Sequence, residues 1–125
     1  MKLPTLPLLL LLPLLSLPLP STALSNRALC AAKNHNLISA INKFCSHPAL
    51  TVPSIYAKHG VKGADKHSHI WIDGEACEPA EWVPSEYCRS QFWGICAGGG
   101  KHGGGWERFG RGRCQVWWVG YHRHV

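Results

Sequence analysis

A chain of 125 residues holds one small domain, which excludes a large multidomain enzyme. A net charge of +6, from 13 basic and 7 acidic residues, excludes an acidic disordered tail. Six cysteines in so short a chain point to a disulfide framework and away from a reducing compartment.

Leucine crowds into Leu3–Leu19, whereas every Cys, His, Trp and Gly comes later. Lys2 followed by the apolar run Pro7–Leu19, about 13 residues, has the form of a secretory signal. A membrane span needs roughly 20 apolar residues, and Pro13 and Pro18 interrupt a continuous helix here. Small residues follow, so cleavage is expected after Ala23, with Ser25 as second choice. The division is thus a signal peptide over 1–23 and a single cysteine-rich α+β domain over 24–125, secreted and extracellular. No Asn-x-Ser/Thr acceptor is present, so N-glycosylation is not expected.

Along the mature chain, Leu37, Ile38, Ile41, Phe44 and Cys45 recur at helical spacing, predicting a helix over Asn34–Cys45. Val52–His59 predicts a short helical turn between Pro53 and Gly60, and Gly60–Lys66 a loop. Ser68–Asp73 alternates, with Ile70 and Ile72 on one face and His69, Trp71 and Asp73 on the other, predicting a strand. Pro84 opens a second helix that runs to about Ala97, with a stripe of Cys88, Phe92, Ile95 and Cys96. Gly98–Gly112 reads as a glycine-rich loop, Arg113–Val119 as the last strand, and Tyr121–Val125 as a fraying tail. The expected architecture is a small disulfide-stabilised α+β sandwich, two helices packed on one face of a mostly antiparallel sheet.

Six cysteines allow 15 connectivities. Cys88 and Cys96 lie eight residues apart on one predicted helix, about 12 Å along its axis, which is beyond disulfide reach. Antiparallel helices give Cys30–Cys96 and Cys45–Cys88, leaving Cys77–Cys114. Parallel helices give 30–88 and 45–96 instead, and the antiparallel set is preferred. A zinc site is disfavoured because no Cys-x-x-Cys pair exists.

The succession of Cys30, Asn42-Lys43-Phe44-Cys45, Cys77, Cys88-Arg-Ser-Gln-Phe-Trp-Gly-Ile-Cys96, a Gly/His-rich loop and Gly112-Arg113-Cys114-Gln115-Val116-Trp117 resembles a known group. It looks like the small secreted cysteine-rich proteins of filamentous fungi that are similar to a mushroom glycan-binding protein. More distantly, it resembles virally encoded fungal killer toxins with a small α/β-sandwich. The resemblance implies an extracellular, disulfide-bonded, non-enzymatic protein that binds carbohydrate.

Six tryptophans are the most informative residues for a site. Exposed indoles stack on the C–H faces of sugars and pair with cations. Trp93, beside Phe92 on a helix, reads as core. Trp117 and Trp118 are consecutive on a strand, so one is expected under a helix and the other on the open sheet face. The glycan site is therefore expected in the aromatic–basic loop, at Lys101, His102, Trp106 and Arg108. Trp71 and Trp118 are a candidate second platform on the open face.

Other chemistries fit less well. The loop Gly98–Gly105 lacks the Walker spacing and follows a helix instead of opening one, which argues against nucleotide. The pairs His67/His69 and His122/His124 each share a face by period-2 spacing, but read as surface histidines, so no metal and no cofactor is expected. His69, Glu75, His102, Glu107 and Arg108 supply the residue types of a small secreted ribonuclease, yet no spacing makes them converge. The expected partner is a glycan or cell-wall polysaccharide, in an effector or defence role. Nucleic acid binding and stable membrane insertion are not expected, and no basic amphipathic helix is apparent. The alternatives are a toxin acting on target-cell membranes or channels, and the ribonuclease.

Overall fold

The computed structural model describes residues 23–121. The predicted signal peptide, apart from Ala23, and the pair His122/His124 lie outside the described residues. The elements in order are α1 (Asn26–Lys33), α2 (His35–Cys45), β1 (Thr51–Val52), α3 (Ile55–His59), β2 (Val61–Lys62), β3 (Ser68–Asp73), β4 (Glu81–Trp82), α4 (Ser85–Gly98), β5 (Gly105–Phe109), a 3-10 turn (Arg111–Arg113) and β6 (Gln115–Tyr121). The fold is α+β. Four strands pair antiparallel in the order β2-β3-β6-β5, and β1 pairs with β4 in a separate ribbon.

The elements with strong periodicity fall where the sequence puts them. β3 spans Ser68–Asp73, and its alternate residues Ser68, Ile70 and Ile72 are buried. Ile70 and Ile72 pair with Val119 and Trp117 of β6, and these form the sheet's inner face. Leu37, Ala40, Ile41 and Phe44 of α2 and Cys88, Phe92 and Cys96 of α4 cover that face. Trp117 fills the centre, with Phe92 4.7 Å and Phe109 5.0 Å from its ring.

Four expectations need correction. A helix not foreseen, α1, precedes α2, so α1, α2 and α4 all pack together and α3 adds a short fourth helix. The predicted loop Gly60–Lys66 contributes β2, because Val61 and Lys62 pair with Ile70 and His69. The predicted loop Gly98–Gly112 contains β5, which pairs along β6 from Gly105 to Phe109. Backbone hydrogen bonding to β6 overrides the poor strand propensity of Gly105. The last strand also starts later than expected, at Gln115, because Gly112 and Arg113 take positive φ in the 3-10 turn.

α1 and α2 are separated by one residue, Asn34, in an extended conformation. Its side chain replaces the helical bonds lost at the break. Asn34 Oδ1 accepts from the Asn36 amide, capping α2, while Nδ2 donates to Ser68 Oγ (2.9 Å) and the His102 carbonyl (3.2 Å). Ser68 Oγ donates onward to Asp65 Oδ2. A buried polar chain thus joins the helix break to β3 and to the turn before β5. On the same side, Lys33 Nζ donates to the Ala97 and Gly99 carbonyls and closes the C-terminus of α4.

All six cysteines are bonded, as Cys30–Cys96, Cys45–Cys88 and Cys77–Cys114. This is the antiparallel set. Gly103 has a positive φ and packs so close that a Cβ there would lie 2.8 Å from Cys96 Sγ. Beside the third bond, Glu81 Oε1 accepts from Gln115 Nε2 (2.8 Å) and ties β4 to β6.

Two outcomes are expected in chemical denaturation. Asn34→Ala should cost about 1–3 kcal/mol, since it removes a cap and two partly buried hydrogen bonds. Asp65 gives a pH signature. Burial pushes its pKa up, but hydrogen bonds from the Ser68 amide and hydroxyl and the His67 amide outweigh this and hold it below the ordinary value. A depressed folded pKa stabilises above the unfolded pKa and is lost as pH falls through the folded one. Stability should therefore decline on acidification below the ordinary carboxylate value of 3.8, and Asp65→Asn should flatten that decline. An unchanged acid limb in Asp65→Asn would contradict the assignment.

Candidate functional site: an aromatic face on the open side of the sheet

The helices cover one side of the four-stranded sheet, and side chains alternate across it, so the other side shows its own register. Trp71 of β3 lies opposite Trp118 of β6, and Trp118 lies opposite Trp106 of β5. Three indoles therefore stand in one row across three strands. Trp71 and Trp118 are offset-stacked with centroids 5.8 Å apart, and Trp106 and Trp118 are 5.9 Å apart at a 36° tilt. Trp71 leans over Gly120, where an added Cβ would come 3.5 Å from the ring.

The two adjacent tryptophans divide as the alternation requires. Trp117 is 1% exposed, and Trp118 is half-buried on the open face. Trp106 is 53% exposed because β5 is the sheet's edge strand. Trp93 is partly buried against the core, under Arg27 at 5.9 Å.

The next register pair places Asp73, Val116 and Arg108 beside the row. Together with Trp106 and Trp118 they line an open depression of about 200 Å³. Trp106 and Trp118 are its aromatic walls. Asp73 Oδ2 accepts from Trp118 Nε1 (3.1 Å) and keeps acceptor capacity, because a carboxylate has about four lone-pair sites. The Arg108 guanidinium sits 5.9 Å from the Trp106 ring centre and carries five N–H donors. The depression thus offers an apolar surface with an acceptor and a donor at its rim. Asp73 and Val116 were not singled out from sequence. Only the β3–β6–β5 register brings them to the tryptophans.

Of the six residues expected to bind ligand, Trp71, Trp106, Arg108 and Trp118 share this face. The loop site and the platform on the sheet are one surface. Lys101 and His102 lie elsewhere, in the turn before β5, where His102 stacks on Tyr121 at 4.2 Å. Its carbonyl accepts from Asn34, so this turn serves the fold. His69 Nε2 donates to the His59 carbonyl.

Sequence reasoning also passed over Trp82, which is 68% exposed. With Tyr87, Gln91, Phe109 and Gln115 it lines a second depression of about 180 Å³. Its polar groups are more occupied. Gln115 Oε1 accepts from Trp117 Nε1 (2.7 Å), and its Nε2 is given to Glu81. Cys77, Glu81 and Cys114 cluster tightly, but both sulfurs are bonded to each other and present no thiolate to a metal.

No family model, curated protein or solved structure matches this chain. Among the described residues no helix is long and apolar enough to cross a membrane.

The three aligned or adjacent tryptophans should differ sharply in stability effect. Trp117→Ala should cost about 3–5 kcal/mol, as for a fully buried aromatic. Trp118→Ala should cost less, and Trp106→Ala should stay within about 1 kcal/mol of the parent, as for a side chain half in water. Denaturant titration of the three variants reads this order. A Trp106→Ala loss as large as that of Trp117→Ala would make Trp106 a core residue.

Proposed function

We propose that this is a secreted, non-enzymatic protein that binds carbohydrate through the Trp106–Trp118 depression. The observation that carries the reading is the row of three indoles on the uncovered sheet face, flanked by Asp73 and Arg108. A pyranose ring has one apolar C–H face and a rim of hydroxyls. Its C–H face suits the indole wall, and its hydroxyls suit a carboxylate acceptor beside a guanidinium donor. Exposed aromatic surface in a small domain calls for a partner, since solvent gives it none. The depression lies below the roughly 300 Å³ of drug-sized pockets, which favours one sugar unit of a longer chain, as in a cell-wall polysaccharide.

The disulfide framework fits an oxidising, extracellular setting. The ribonuclease reading has less support. His102 packs on Tyr121, while Glu107 pairs with Trp117 on the opposite side of the sheet from Trp106. The aromatic depression lends the toxin reading no support.

A glycan array probed with the oxidised chain from Leu24 onward tests the proposal. Selective binding is expected. Trp106→Ala should weaken it at least about tenfold, equivalent to about 1.4 kcal/mol, with the fold unchanged by circular dichroism. Trp106→Tyr should retain most of the affinity, because stacking needs an aromatic face. No binding by a folded sample across a broad array, or binding indifferent to Trp106→Ala, would overturn the reading.

A further inference from the structure

On the opposite edge of the sheet from Trp106, β2 meets α2 and α3 around a wide groove of about 770 Å³. Its wall combines two kinds of chemistry. Ile55, Tyr56 and Val61 supply an apolar floor and rim, and Lys43, Lys62 and Lys66 surround it with cations, beside His59. Ile55 is 89% exposed on the first turn of α3, where Ser54 caps the helix and Ala57 is the fully buried residue. Ile55 thus has no part in holding the fold. Tyr56 is anchored from behind, stacked on Phe44 at 5.3 Å with its hydroxyl donating to the Phe44 carbonyl.

Three lysines line the groove, and no carboxylate does. Glu75 pairs with Lys58 at 2.7 Å. Asp65 spends its oxygens on the Ser68 amide and hydroxyl and the His67 amide. Among the described residues, Lys43, Lys62 and Lys66 form no ion pair.

An inorganic anion would not use a protruding isoleucine, and an apolar ligand would not use three lysines. An anionic lipid surface uses both. We propose that this edge docks peripherally on anionic lipid, with Ile55 entering the interface and Lys43, Lys62 and Lys66 meeting the headgroups. Lysine suits such a site, because its apolar stem can lie on apolar surface while its ammonium group stays in water. Ile55 is a shallow anchor, and the lysines supply electrostatic attraction that falls off within a Debye length. This leaves the Trp106 depression on the other edge open to its own ligand, so the two surfaces can be tested separately.

Co-sedimentation with phosphatidylcholine vesicles, with and without phosphatidylserine, tests it using the oxidised chain from Leu24. Binding is expected only with phosphatidylserine, and it should weaken as salt rises. Lys62→Ala and Lys66→Ala should each lower it about fivefold. Ile55→Ser should lower it further still while leaving the thermal midpoint unchanged, because the side chain is in water. Trp106→Ala should leave vesicle binding intact. Equal binding to neutral vesicles, or phosphatidylserine binding indifferent to Ile55→Ser, would overturn the proposal. So would preferential binding of a soluble sulfated polysaccharide that the lysine variants weaken and Ile55→Ser does not.

Discussion

Two covalent clamps set the geometry on which the rest of this structure depends. Cys30–Cys96 joins α1 to the end of α4, and Cys45–Cys88 joins the end of α2 to the start of α4. They hold α4 antiparallel to the α1–α2 pair as one layer over the sheet. A domain of about 100 residues has little surplus burial, and bonds closing long loops contribute about 2–5 kcal/mol each. Asn34 completes the clamp by polar means, since it breaks the helix and holds the break to β3. The helices then suffice to cover one face of the four-stranded sheet, and the second face must be finished by the sheet's own side chains.

That requirement explains the use of tryptophan. Trp117 fills a thin core in one step, while its neighbour Trp118 is turned outward by the pleat and shelters against Trp71 and Trp106. The row gives the open face stiffness that a loop lacks, because each indole is held by its strand and by its neighbour. β5 is an edge strand with unpaired backbone groups. Glu107 and Arg108 place charge on that edge and disfavour pairing with another chain. Arg108 therefore has two consistent roles, guarding the edge and lining the depression.

Legibility followed the strength of local signals. β3, α2 and α4 were readable because each buries alternate or helically spaced residues, and the same periodicity ranked the disulfides. α1 was not readable, since Cys30 is the one buried residue in its eight and leaves no stripe. β5 was hidden for a similar reason. Its residues are half-buried or exposed, so alternation leaves no trace, and the run of glycines ending at Gly105 reads as loop. The tryptophans of the site were legible as residue types. Their convergence was not, because it depends on a register that joins residues 71, 106 and 118 through backbone pairing. Lys101 and His102 were drawn into the site by sequence proximity to Trp106, but they lie in the turn before β5, where His102 stacks on Tyr121 and its carbonyl accepts from Asn34.

The protein therefore presents a rigid aromatic depression at one sheet edge and a cationic, apolar groove at the other. The central claim is that the first of these binds sugar. The most direct measurement follows the six indole N–H resonances while soluble oligosaccharides of glucose, mannose and N-acetylglucosamine are added. Binding at the depression shifts Trp106 and Trp118 and leaves buried Trp117 unmoved. Perturbation centred on Trp82, or six resonances unmoved by every oligosaccharide, would contradict the claim.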